Sequence, residues 1–186
     1  MPTSQRHTEP AADFSDALRV IRDYHDHFLA LCEGLAQLVE QIELRSISKD
    51  FGMRARELRH EFMTSFALHH QDEEQTLFPC VQHASPHRLD DILQQLETEH
   101  MEIDLLWNWL TPLLQDTRQV HDYAQFSHAL RQFVQMLQRH IDNEEQALLP
   151  VIEQLLTPVQ RQRIGASMHR TRIAGIGSCA PYRETA

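Results

Sequence analysis

A histidine followed four positions later by a glutamate occurs twice in this chain within one local pattern. The stretch from His69 to Pro79 reads His-His-Gln-Asp-Glu-Glu-Gln-Thr-Leu-Phe-Pro, and the stretch from His140 to Pro150 reads His-Ile-Asp-Asn-Glu-Glu-Gln-Ala-Leu-Leu-Pro. Aligned on Pro79 and Pro150, His69 pairs with His140, Glu73 with Glu144 and Glu74 with Glu145. On an α-helix this spacing places imidazole and carboxylate on one face, a turn apart. Held so, the two can bind one metal ion together, and the second carboxylate oxygen can reach a neighbouring ion. Metal sites in helical bundles are built from such inward-facing pairs. One copy alone reads better as an ordinary i,i+4 hydrogen bond on a solvated face. The recurrence, with Leu-[Phe/Leu]-Pro following both times, favours a shared site.

The elements that must position these pairs are long amphipathic helices. Phe14, Leu18, Ile21, Phe28, Cys32, Leu35, Val39 and Ile42 step by three or four residues, predicting a first helix capped at Asp13 or Ser15. His25 falls on that stripe, whereas His27 lies off it and reads as a surface residue. A second helix, capped by Ser48 or Asp50, carries Leu58, Phe62, Phe66, His69, Glu73 and Leu77 on one face, and Pro79 must kink or end it. His70 and Glu74 sit about 100° further round. They are a second layer, solvent-facing, or the true ligands if the helix is rotated; Ile141, aligned with His70, favours His69. Ser85-Pro86 reads as the start of a third helix, which carries Leu89, Leu93, Leu96, His100, Ile103 and Trp107 on its apolar side. Asp104 lies one turn beyond His100. A fourth helix runs from about Tyr123 through Leu130, Phe133, Leu137, His140 and Glu144 to Leu155, and Thr157-Pro158 caps a short terminal helix to about Arg170.

A helix with one inward histidine, followed by a helix with a His-x-x-x-Glu pair, therefore occurs twice. The expected fold is all-α: an up-down-up-down four-helix bundle over residues 13–157, preceded by a disordered segment 1–12 and followed by a short helix and flexible tail over 158–186. At comparable depth, His25, His69, His100 and His140 converge with Glu73 and Glu144. Six ligands are too many for one zinc and suit two octahedral-type ions bridged by carboxylates. Without a metal, two carboxylates would be buried in an apolar core at a cost of several kcal/mol each unless protonated histidines pair with them.

Composition bounds the function. A formal net charge of -10 argues against binding to nucleic-acid phosphates or an anionic membrane surface. No apolar run is long enough to span a bilayer, and the N-terminus has no signal-peptide core, so a cytoplasmic protein is expected. The three cysteines, Cys32, Cys80 and Cys179, have no paired spacing and read as reduced thiols. Thirteen histidines exceed what a core of this size needs.

These residues resemble the hemerythrin-like proteins, the hemerythrin HHE cation-binding family, over roughly residues 13 to 157. The resemblance implies a four-helix bundle around a non-haem di-iron centre, two iron ions with carboxylate and oxo or hydroxo bridges, although another divalent metal is compatible with the donors. It assigns His25 and His100 as the single histidines, His69 with Glu73 and His140 with Glu144 as the pairs, and the two glutamates as bridges. Where oxygen-carrying members have a second histidine on the third helix, this chain has Asp104, a further ligand or a residue behind the ligands. The aspartate those members carry five residues after the fourth helix's histidine is replaced by Glu144 and Glu145 at plus four and plus five. No N-terminal cysteine-bearing domain of the iron-sulfur-repair type is expected. The implied activity is binding or sensing a small diatomic or redox species, such as oxygen, nitric oxide or peroxide. A redox enzyme acting on peroxide or nitric oxide, an iron store or carrier, and a metal-free helical scaffold are the other classes; no protein partner is indicated.

Overall fold

The computed structural model describes residues 13–174 and is helical throughout, with no strand among the described residues. The expectations for residues 1–12 and for the tail beyond Ala174, Cys179 included, lie outside the described residues. The helices are α1 (Ala17–Glu43), α2 (Phe51–Asp72), α3 (Phe78–Ala84), α4 (Asp90–Gln115), α5 (Tyr123–Asn143), α6 (Leu149–Leu155) and α7 (Pro158–Ala174). A π turn, Glu73–Leu77, joins α2 to α3, and a second, Glu144–Leu148, joins α5 to α6. α1 packs on α2 and α5, and α4 packs on the same two, so the four long helices enclose one core; α7 lies against α1.

The helix starts follow capping chemistry, with two corrections to the sequence reading. Asp16, rather than Asp13 or Ser15, caps α1, its carboxylate accepting from the Leu18 amide at 2.9 Å. Ser85 ends α3 instead of opening the next helix, and α4 begins after a turn in which His87 takes a positive φ of 65°. Asp122 caps α5 by accepting from Ala124 and Gln125.

Beside the histidines the core is aromatic and drawn from all four long helices. Phe28 stacks on Phe62 at 6.0 Å between centroids, and Phe62 meets Trp107 at 4.9 Å and Phe133 at 5.5 Å. Phe28, Phe62 and Phe133 have no exposed surface. Each such burial contributes about 1.5–3 kcal/mol before entropy is charged against it. Gly34 lets α1 and α2 approach closely, since a β-carbon there would meet a Leu58 methyl at 2.6 Å.

Both π turns arise just ahead of a proline. Pro79 and Pro150 donate no amide hydrogen, and their rings crowd the carbonyls of Gln75 and Gln146 four residues back. Widening the turn relieves this: the Phe78 amide bonds to the Glu73 carbonyl, and the Leu149 amide to that of Glu144. Each helix then continues instead of stopping.

Candidate metal centre

Six of the residues singled out by spacing meet in the core. His25, His69, Glu73 and Glu144 form one buried group, and Glu73, His100, His140 and Glu144 form another, with one donor atom per residue and all such atoms of a group within 4.8 Å of one another. α1 contributes His25, α2 His69, α4 His100 and α5 His140, while the glutamates open the two π turns. Both glutamates belong to both groups.

The contacts show how the carboxylates span the two groups. Glu144 Oε2 lies 2.9 Å from His25 Nε2, and its Oε1 lies 3.6 Å from His140 Nε2. Glu73 Oε2 lies 3.2 Å from His100 Nε2 and 3.5 Å from His69 Nε2. His100 Nε2 and His140 Nε2 stand 3.0 Å apart. Several of these atoms have no hydrogen-bond partner although they are buried: both ring nitrogens of His69, Glu73 Oε2 and Glu144 Oε1. The close approach of Glu73 Oε2 to two imidazoles thus has the distance of a polar contact without hydrogen-bond orientation. Orphaned buried donors and acceptors cost about 1–3 kcal/mol each. Cations shared among these nitrogens and oxygens would satisfy His69 Nε2 and both orphaned carboxylate oxygens, so the donor set fits a metal pair.

A second layer of carboxylates fixes three of the four imidazoles. His25 Nδ1 bonds Glu145 at 2.8 Å, His100 Nδ1 bonds Glu74 at 2.7 Å, and His140 Nδ1 bonds Glu99 at 3.0 Å. Such partners hold the Nδ1 proton, turn Nε2 toward the centre and raise its basicity. The pairing crosses the repeat: the glutamate after the first pair holds the second single histidine, and the glutamate after the second pair holds the first. The π turns make this possible, because the wider turn narrows the angular step between neighbours and lets Glu73 and Glu74, like Glu144 and Glu145, serve one site.

Protonation in the metal-free chain follows from these contacts. Burial by itself lowers His25, but hydrogen bonds to Glu144 and Glu145 and the charges of Glu144 and Glu73 outweigh it and raise its pKa to about 9. His100 is likewise lowered by burial and raised further by Glu73, Glu74 and Glu144, to about 10. His69 lies well below the ordinary histidine value through burial and the surrounding histidines. Between the bridging candidates, burial and the Glu144 charge raise Glu73, whereas the histidines around Glu144 overcome its burial and lower it.

Asp104 stands outside both groups. Its side chain is 50% exposed, and its nearest ionic partner is His70 Nδ1 at 3.7 Å. His70 is buried but lies behind the centre, its ring stacked on that of His100 at 3.9 Å between centroids, so the register of α2 places His69 inside. His27 is half-buried and away from the cluster, and His60 and His128 are exposed.

Spacing did not reveal Glu99, Tyr24 or the Asp72–Arg172 pair. Glu99 and Tyr24 each immediately precede a stripe histidine, a step of about 100° that points to the flank of a helix. Asp72 is buried and paired with Arg172 of α7, whose guanidinium lies 5.1 Å over the Tyr24 ring; Tyr24 in turn stacks on His69 at 5.5 Å. An arginine in a polar terminal helix carries no sequence signal that it is buried beside the core.

Comparison with known proteins agrees with this geometry. The hemerythrin HHE cation binding domain matches residues 16–155. An uncharacterized protein of Haemophilus influenzae is 24% identical over 134 residues, covering 72% of this chain and 77% of its own. No solved structure matches. None of the described helices is long and apolar enough to cross a membrane.

Proposed function

The chain belongs to the hemerythrin HHE cation-binding domain family, and from that premise we propose that its core, an up-down-up-down four-helix bundle, holds two iron ions and binds or senses a small diatomic or redox species. The single observation behind this reading is that Glu73 and Glu144 are members of both four-residue groups, as carboxylates bridging two ions must be. His25 and His69 would hold one ion, and His100 and His140 the other. A bound iron pair would supply one-electron redox change and an attachment point for oxygen, nitric oxide or peroxide. We place the protein in the cytoplasm, with a small molecule as its partner.

The chain's own residues prepare this chemistry. Glu145, Glu74 and Glu99 keep three imidazoles aimed inward. The Phe28–Phe62–Phe133–Trp107 cluster excludes water on one side and lowers the local dielectric. Counting two imidazoles and two shared carboxylates per ion leaves room for an exogenous ligand, because octahedral-type ions take about six donors.

The test is anaerobic loading with Fe(II), followed by nitric oxide in one sample and air in another, read by optical and electron paramagnetic resonance spectroscopy. Nitric oxide is expected to change the spectra with both irons retained. Air is expected to give a stable diferric form, since oxygen donors favour ferric iron. Spectra unaltered by either gas would contradict a ligand-binding role, and uptake and release of oxygen over many cycles without oxidation would contradict the expected diferric end state.

A further inference from the structure

Aligning the two halves of the chain on their ligands pairs His25 with His100, His69 with His140, Glu73 with Glu144 and Glu74 with Glu145. The crossed contacts obey that correspondence: Glu145 holds His25 as Glu74 holds His100. Beside the single histidines the correspondence breaks. The residue before His100 is Glu99, and the residue before His25 is Tyr24.

The difference falls on the other pair of imidazoles. Glu99 Oε2 bonds His140 Nδ1 at 3.0 Å, and its Oε1 is held by Asn143 and Gln95, each at 2.9 Å. That carboxylate is locked in place on three donors. His69, which corresponds to His140, has instead the stacked ring of Tyr24 at 5.5 Å, and its Nδ1 is buried without a partner. A charged acceptor behind an imidazole fixes the ring and makes Nε2 a stronger donor to a cation; partners of this kind are worth about 10–100-fold in metal affinity. An imidazole against an aromatic face gains neither effect.

On the premise that the core binds a metal pair, we infer that the two positions are inequivalent: the His100–His140 position fills first and more tightly because Glu99 acts as the positioning residue of His140, while the His25–His69 position is the weaker and more readily emptied. The chain then carries one lasting metal and one exchangeable metal, and partial loading gives a defined mononuclear form.

The test is titration of the metal-free full-length chain with Co(II) under anaerobic conditions, followed by visible absorption and calorimetry. The wild type is expected to bind two ions in separate steps about tenfold or more apart. His69→Ala is expected to remove the weaker step and spare the tighter one, and His140→Ala the reverse. Glu99→Leu is expected to weaken the tighter step about 10–100-fold and merge the two, whereas Glu99→Gln, which keeps an oxygen acceptor for His140, recovers part of the loss. Circular dichroism on each variant verifies the fold, and an effect confined to one step is what general destabilisation would not produce. Two indistinguishable steps, or a Glu99→Leu variant that weakens both equally, would overturn the inference and leave the dinuclear reading standing. Fewer than two ions per wild-type chain would overturn both.

Discussion

His69 and His70 are neighbours in sequence with different fates. His69 is buried among the donors of one group, and His70 stacks outside His100. Replacing His69 or His140 with alanine is therefore expected to lose metal, measured by elemental analysis after desalting, whereas His27→Ala, His60→Ala and His128→Ala retain it. His70→Ala serves as the control for register: it is expected to keep both ions, and loss of metal there but not in His69→Ala would place the ligand one residue along. The convergence of the six central residues was legible in the sequence because side chains that meet in a bundle core recur at helical spacing. The carboxylates behind them were less so. Glu74 and Glu145 stood out only as the second members of Glu-Glu pairs, and Glu99 gave no periodic signal, since a residue supporting a ligand needs reach rather than a place on the stripe.

Metal uptake by these residues is coupled to protons. His25 and His100 have pKa values raised to about 9 and about 10 in the metal-free chain, so both carry a proton at pH 7.5. A cation requires the free Nε2 electron pair and must displace that proton. Loading at pH 7.5 is expected to release about two protons per chain, and apparent affinity to rise with pH until those imidazoles titrate. Calorimetry in two buffers of different ionisation enthalpy gives the count directly. A heat independent of buffer would show that the imidazoles are already neutral.

Among the elements, α7 contributes more than its polar sequence suggests. It delivers Arg172 to the buried Asp72, one residue before the first π turn, and Gly165 lets its backbone approach the start of α1, where a β-carbon would meet the Phe14 carbonyl oxygen at 2.5 Å. Arg172→Ala leaves Asp72 buried without its guanidinium. Breaking comparable pairs costs about 3–5 kcal/mol when the charge remains, and less here, because burial already raises the Asp72 pKa to about 7 and the carboxyl can take up a proton. Denaturant unfolding is expected to show that loss, and adding Asp72→Asn to recover much of it. A single variant as stable as the wild type would mean that the pair contributes nothing. Apolar periodicity was enough to locate the long helices, because their buried stripes are continuous. It could not separate a kink, a stop and a π turn at Pro79, since proline forbids the same hydrogen bond in all three and the packing that follows decides among them.

For the whole molecule, the apolar core and the polar centre are separable contributions. The aromatic cluster and the leucine-rich faces are complete without a cation, whereas His69 and the orphaned glutamate oxygens lack hydrogen-bond partners that one would replace. Removing metal with a chelator is expected to lower the thermal midpoint while leaving most of the helical circular dichroism, because a ligand that binds only the folded state stabilises it by mass action. Collapse of the helical signal on chelation would show instead that the fold depends on metal.

Stoichiometry tests the dinuclear centre most directly. Untagged protein loaded anaerobically with Fe(II), freed of excess iron and assayed for iron and protein on the same sample should contain two irons per chain, and Mössbauer spectra of the oxidised form should show them magnetically coupled. One iron per chain, reproducibly and with all six central residues intact, would contradict a metal pair bridged by Glu73 and Glu144.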